Sequence, residues 1–216
     1  MCSSDLVSGL PVAGYTWHEF PDGGATFAQP DGGWIYVSNS ESSAAVSGGA
    51  SAIRFSADGQ ITSAYRILGG TRQNCAGGPT PWGTWLSCEE TGFGFVYECD
   101  PTGAAPARKL RALGAFKHEA AAVDPINRHV YLTEDKSDGR LYRFTPRNYP
   151  DLSLGVQRPN TVITFGGEVN RALVIPDTLA AVERRARRDL LASWEQSRER
   201  VGGWIWMRQD MPGNIA

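Results

Sequence analysis

No run of apolar residues in this 216-residue chain approaches the eighteen or so that a bilayer-spanning helix requires, and no basic start followed by an apolar stretch marks a secretion signal. No membrane partner is expected, and localisation is not legible at the N-terminus. Neither sign of charge dominates: 21 Lys and Arg face 23 Asp and Glu, for a formal net charge of −2. With no basic stripe interleaved with aromatics, nucleic acid is not an expected partner. Cysteine is scarce, at four residues, and none stands in a C-x-x-C pair, which excludes paired-cysteine zinc and thioredoxin-type chemistry. The segment 1–6 reads as a non-native leader and is set aside with Cys2. The remaining Cys75, Cys88 and Cys99 are an odd number and make no disulfide framework. Cys88 and Cys99 read as small buried hydrophobes of strands. Nucleophilic-serine elbows and phosphate-cradling P-loops are also absent.

What the chain has instead is punctuation, with 25 Gly and 13 Pro in clusters such as Pro21-Asp22-Gly23-Gly24, Pro30-Asp31-Gly32-Gly33 and Asp100-Pro101-Thr102-Gly103. Between these turn signals lie short strand candidates, an all-β signature. Three passages share one grammar, an apolar strand running into an acid: Trp34 to Glu41, Trp85 to Glu90, and Val130 to Asp135. The acids recur every 44 to 49 residues or so, the length of a four-stranded propeller blade. Outgoing strands that alternate with period two follow at Ala52-Ile53-Arg54-Phe55, Phe95-Val96-Tyr97-Glu98 and Leu141-Tyr142-Arg143-Phe144. The fold expected is an incomplete β-propeller spanning residues 7–156, with about three of six blades.

After Pro150 the pattern changes. Leu179, Val182, Leu190, Leu191 and Trp194 fall on a helical period among many Arg and Glu, so a helix is expected over 178–201. Its cluster of Arg184, Arg185, Arg187 and Arg188 reads as a solvated face. Residues 157–216 therefore stand as a divergent or non-native tail that ends in the apolar Trp204-Ile205-Trp206-Met207.

Two passages carry chemistry. In Arg72 to Trp85, paired glycines and a Pro-Thr-Pro run are expected to hold Asn74 and Cys75 on a rigid loop rather than a regular strand. Carboxylates near Cys75 would raise its thiol pKa, whereas a bound cation would favour the thiolate. A half-buried loop cysteine is the plain alternative. In Phe116-Lys117-His118-Glu119, strand alternation sends His118 and Glu119 to opposite faces, with Glu119 expected in the channel. His18-Glu19 echoes this pair. The strand-end acids Glu41, Glu90, Glu134 and Asp135 would repel one another in a shared channel unless cations compensate them. Calcium suits the oxygen donors, and a transition metal suits a thiolate. Acids that merely end strands at solvent remain open at this point.

The run Asn74-Cys75-Ala76-Gly77-Gly78-Pro79-Thr80-Pro81-Trp82-Gly83-Thr84-Trp85, then Cys88-Glu89-Glu90 and Lys117-His118-Glu119, resembles the signature of PhoX-type alkaline phosphatases over roughly residues 14 to 156. The resemblance implies a secreted or periplasmic, six-bladed propeller enzyme that hydrolyses small phosphomonoesters as a monomer. It further implies iron and calcium in the channel, with Cys75 on iron and Glu119 a metal ligand. Glu90, Glu41, Glu134 and Asp135 would complete the shell, and Arg72 would orient phosphate. The family's ligands from later blades have no counterpart passage in 157–216. A calcium-holding scaffold and a lactonase-like calcium-dependent hydrolase are the rival readings.

Overall fold

The computed structural model describes residues 8–162, all within one compact unit. The leader at 1–6, the helix expected over 178–201 and the apolar segment after it lie outside the described residues. Strand β1 (Pro11–Val12) pairs with β2 (Tyr15–Thr16) in a small hairpin. The first blade is β3 (Pro21–Ala28), β4 (Trp34–Ser40), β5 (Gly49–Phe55) and β6 (Ile61–Gly69). The second is β7 (Asn74–Pro79), β8 (Trp85–Glu89), β9 (Val96–Cys99) and β10 (Arg108–Leu110). The third is β11 (His118–Asp124), β12 (His129–Glu134), β13 (Arg140–Asn148) and β14 (Asp151–Val162).

Each set of four is an antiparallel sheet whose strands neighbour one another in chain order. The described residues are thus an incomplete, propeller-like all-β fold, with one 3-10 turn at Arg111–Leu113. The three acid-ending passages are the second strands, and the three alternating outgoing passages belong to the third. Strand β14 carries the third sheet to Val162, beyond the boundary near residue 156 drawn from the change in composition.

Blades pack face to face, which explains why the second strands read as apolar runs rather than clean alternations. Leu86 and Cys88 of β8 join Val96, Leu110, Val130, Leu132 and Phe144 between blades two and three. Trp85 of the same strand turns the other way, to Ile35, Val37, Ala52 and Cys99 between blades one and two. All of β8 is buried, because the middle blade is covered on both faces. The hairpin closes the free face of blade one, where Val12 and Trp17 pack on Ile53.

The first strand of each blade lies innermost, with β7 packed against both β3 and β11. Glycine permits this approach. A Cβ on Gly78 would stand 1.8 Å from the Ala121 carbonyl oxygen of β11, and one on Gly23 would stand 2.6 Å from Ala76 Cα of β7. This corrects two sequence readings. Pro21 to Gly24 is not a turn, and Asn74 with Cys75 is not on a loop: both stretches are inner strands, whose glycines serve interstrand contact rather than chain reversal.

Candidate metal centre

All three inner strands carry the same irregularity. The pairing of first to second strand slips between Pro21 and Gly24 in blade one, between Asn74 and Gly77 in blade two, and between His118 and Ala121 in blade three. A bulge of this kind breaks the ladder locally and re-aims the side chains inside it. The second residue of each strand falls in the bulge: Asp22, Cys75 and Glu119. Beside each bulge, the first residue beyond the second strand is an acid: Glu41, Glu90 and Asp135. Its N–H donates to the carbonyl just ahead of the inner strand, Phe20 (2.8 Å), Gln73 (2.8 Å) and Lys117 (3.1 Å) respectively. Phe20 and Gln73 adopt left-handed backbone, with φ of 50° and 46°, a conformation costly for residues with a Cβ.

The bulges bring these residues into two overlapping groups. Donor atoms of Asp22, Glu41 and Cys75 lie within 4.8 Å of one another, as do those of Cys75, Glu90 and Glu119. Cys75 belongs to both. Its Sγ lies 3.5 Å from Asp22 Oδ2 and 3.5 Å from Glu119 Oε1. Each group follows one rule: a bulge residue, the acid beside it, and the bulge residue of the next blade.

A buried network fixes the middle bulge. The Asn39 side chain donates from Nδ2 to the carbonyls of Cys75 and Ala76, both at 2.8 Å, and its Oδ1 accepts from Trp85 Nε1 (3.0 Å) and Ser87 Oγ (2.8 Å). Ser87 Oγ in turn accepts from Asn74 Nδ2 (2.9 Å), whose Oδ1 takes the Thr71 hydroxyl (2.7 Å). With every polar atom of the Asn39 amide in use, the backbone on either side of Cys75 is held in place.

Electrostatically the centre is short of positive charge. Burial first, then Glu119, Asp22 and Glu90, push the Cys75 thiol far above its usual range. The Glu119 carboxyl is raised by burial and by Glu90, and that of Glu41 by burial, Asp22 and Glu90. Among the described residues the cation ion-paired to these acids is Lys117, whose Nζ lies 3.1 Å from Glu90 Oε1 and 3.4 Å from Asp135 Oδ2. Clustered carboxylates and a thiol that cannot all ionise together suit a bound cation, and the mixture of hard oxygen with soft sulfur suits a mixed-metal site.

Of the residues singled out from the sequence, the structure brings Glu41, Cys75, Glu90 and Glu119 together. Asp135 occupies the position equivalent to Glu41 and Glu90 but is exposed and bound to Lys117. Glu134 is not gathered in: pleating turns it aside, where its Oε2 accepts from the Tyr142 hydroxyl at 3.0 Å. Glu89, its equivalent in blade two, likewise braces backbone, accepting from the N–H groups of Arg72 (3.2 Å) and Phe95 (3.1 Å). The Arg72 side chain is exposed and has no hydrogen-bond or ion-pair partner among the described residues. His118 is fully buried, stacked on Phe116, while its neighbour Glu119 faces Cys75. His18 is also buried, on Trp17. Sequence reading missed Asp22, hidden inside Pro-Asp-Gly-Gly. Its signal was the glycine at which each inner strand resumes its pairing: setting Gly24 against Gly77 puts Asp22 on Cys75.

Comparison with known families gives a match to the family model described as alkaline phosphatase PhoX, over residues 23–92 and 91–183. The match extends past residue 156, beyond the span of the motifs that carry the sequence resemblance. No curated protein and no solved structure matches the chain.

Proposed function

The chain belongs to the PhoX alkaline phosphatase family, and on that premise we propose that it hydrolyses small phosphomonoesters at a metal centre built from Asp22, Glu41, Cys75, Glu90 and Glu119. The observation that carries this reading is the double use of Cys75, one thiol shared by two carboxylate groups that repeat from blade to blade. The Asp22–Glu41 side, rich in exposed oxygen donors, suits calcium, and the more buried Cys75–Glu90–Glu119 side suits iron. Bound there, such ions would act as Lewis acids, offsetting the charge of phosphate oxygens as it builds toward the transition state.

The chain's own residues have separate tasks. The carboxylates of Asp22, Glu41, Glu90 and Glu119 would hold the cations. The Asn39 network keeps the thiol of Cys75 at the seam between blades one and two. Arg72, exposed just ahead of β7, supplies a guanidinium able to take two phosphate oxygens side by side. Asp135 stands ready as the corresponding acid of blade three, and Glu134 supports it by holding the end of β12. Among the described residues no helix is long and apolar enough to cross a membrane. A periplasmic or secreted monomer accords with the family.

The test is metal analysis of the chain after incubation with calcium and ferric salts, paired with hydrolysis of p-nitrophenyl phosphate. Iron and calcium retained together, with ester cleavage that chelation abolishes, is the expected result. Calcium alone with no cleavage would replace this reading with a calcium-stiffened scaffold, and cleavage of lactones instead would give a lactonase-like enzyme.

A further inference from the structure

The carbonyls of Phe20, Gln73 and Lys117 receive the N–H of Glu41, Glu90 and Asp135, so these three residues occupy one structural position in successive blades. They carry an aromatic ring, an amide and a cation. The cation alone reaches across a blade boundary by ion pairing: Lys117 belongs to blade three, yet its Nζ sits closer to Glu90 of blade two (3.1 Å) than to Asp135 of its own blade (3.4 Å). The Glu90 side chain is only 11% exposed, and the lysine reaches it from a rim position at 37% exposure. Glu90 is also one of the three donors converging with Cys75 and Glu119.

We propose that Lys117 is a positioning residue of the metal centre, a tethered counter-charge that holds the Glu90 carboxylate in place when no ion is bound and competes with an incoming ion for it. The proposal rests on the metal centre described above. An ammonium fixed to the chain cannot diffuse away, so it limits the repulsion among Glu90, Glu119 and Asp135 before any ion arrives. For the same reason it opposes a divalent cation at the Cys75–Glu90–Glu119 group, both by its charge and by engaging Oε1 of Glu90. Lys117 thus trades cation affinity for a stable ion-free fold.

The experiment uses the full chain, stripped with chelator, and ferrous iron under anaerobic conditions as the probe, the cation that suits the Cys75–Glu90–Glu119 group. Calorimetric titration compares the parent protein with Lys117→Met and Lys117→Arg, and urea unfolding of the ion-free proteins adds Glu90→Gln and the double variant. Removing the charge is expected to tighten ferrous iron binding by about tenfold, while arginine, which keeps the charge, stays within about twofold. Ion-free Lys117→Met is expected to be less stable than the parent, and that loss to shrink when Glu90 is also replaced. Unchanged or weaker ferrous iron binding by a natively folded Lys117→Met overturns the proposal. Should none of the proteins bind ferrous iron, the metal centre itself fails, and the unfolding cycle then decides Lys117 alone: absence of coupling to Glu90 refutes its role, and coupling retains it as a counter-charge.

Discussion

The thiol of Cys75 lies 3.5 Å from a carboxylate oxygen of Glu119, 44 residues away, because each is the second residue of the inner strand of its own blade. Asp22 holds the same place in the blade before, also 3.5 Å from the thiol. Three bulges in one register have converted a sequence repeat into a convergent site.

Replacing Cys75 with serine removes the soft donor shared by both groups. Iron content is expected to fall to background and phosphatase activity by roughly a hundredfold or more, since hydroxyl oxygen is a poor substitute for thiolate on a transition metal. Calcium binding should persist through the carboxylates. Elemental analysis alongside an ester-hydrolysis assay checks both, and full activity in an iron-free serine variant would contradict the assignment.

Asn39→Ala leaves Trp85 Nε1, Ser87 Oγ and the carbonyls of Cys75 and Ala76 without their partner inside the protein. A loss of about 3 kcal/mol in urea unfolding is expected, the cost of several buried polar groups left unpaired. Because the backbone at Cys75 loosens too, cation affinity measured by titration should drop about tenfold. A variant that loses stability but binds cations normally would show that the network supports the fold without positioning the thiol.

Gly78→Ala places a methyl group 1.8 Å from the Ala121 carbonyl oxygen of the neighbouring inner strand. The blades must part, and the expected cost is about 3 kcal/mol or more. Gly92→Ala, at an open position with nothing within 4 Å, serves as the control and should stay within about 0.5 kcal/mol. Equal effects at the two sites in chemical denaturation would refute the close approach of β7 and β11.

His18 is held neutral by burial, with its pKa lowered to about 4 from 6.5, and a weaker push in the same direction from Arg66. Its Nδ1 has no hydrogen-bond partner among the described residues. Between pH 6.5 and about 4 the unfolded chain takes up a proton at His18 that the folded chain does not. Stability is therefore greatest above 6.5 and declines as pH falls through this window, by about 2 kcal/mol at about pH 4.5. Glu41 and Glu119, held above the usual carboxylate range, act in the opposite sense on acidification, so the measurement is the difference between the parent and His18→Asn in unfolding across pH. The variant should show the shallower acid decline; identical slopes would mean that His18 does not titrate in this window.

Much of the fold was legible because its signals are local. Apolar strands ending in acid, turn clusters and a blade-length repeat gave the three sheets, and alternation alone separated buried His118 from Glu119. Cys75 stood out by its surroundings in the sequence. Asp22 did not, since Asp-Gly-Gly is as good a turn as it is a strand, and only the neighbouring blade, pressing Ala76 against Gly23, makes it the latter. Glu90 was named over Glu89, but at Glu134-Asp135 the sequence named both acids, since a one-residue change of register exchanges the side chain that braces the sheet for the one at the equivalent of Glu90. Period-two patterning and turn chemistry, which depend on a few adjacent residues, determined the all-β blades and named most of the acids. The position of each bulge depends on hydrogen bonds and contacts between strands distant in sequence, and so the tertiary structure alone decided which of those acids meet at Cys75.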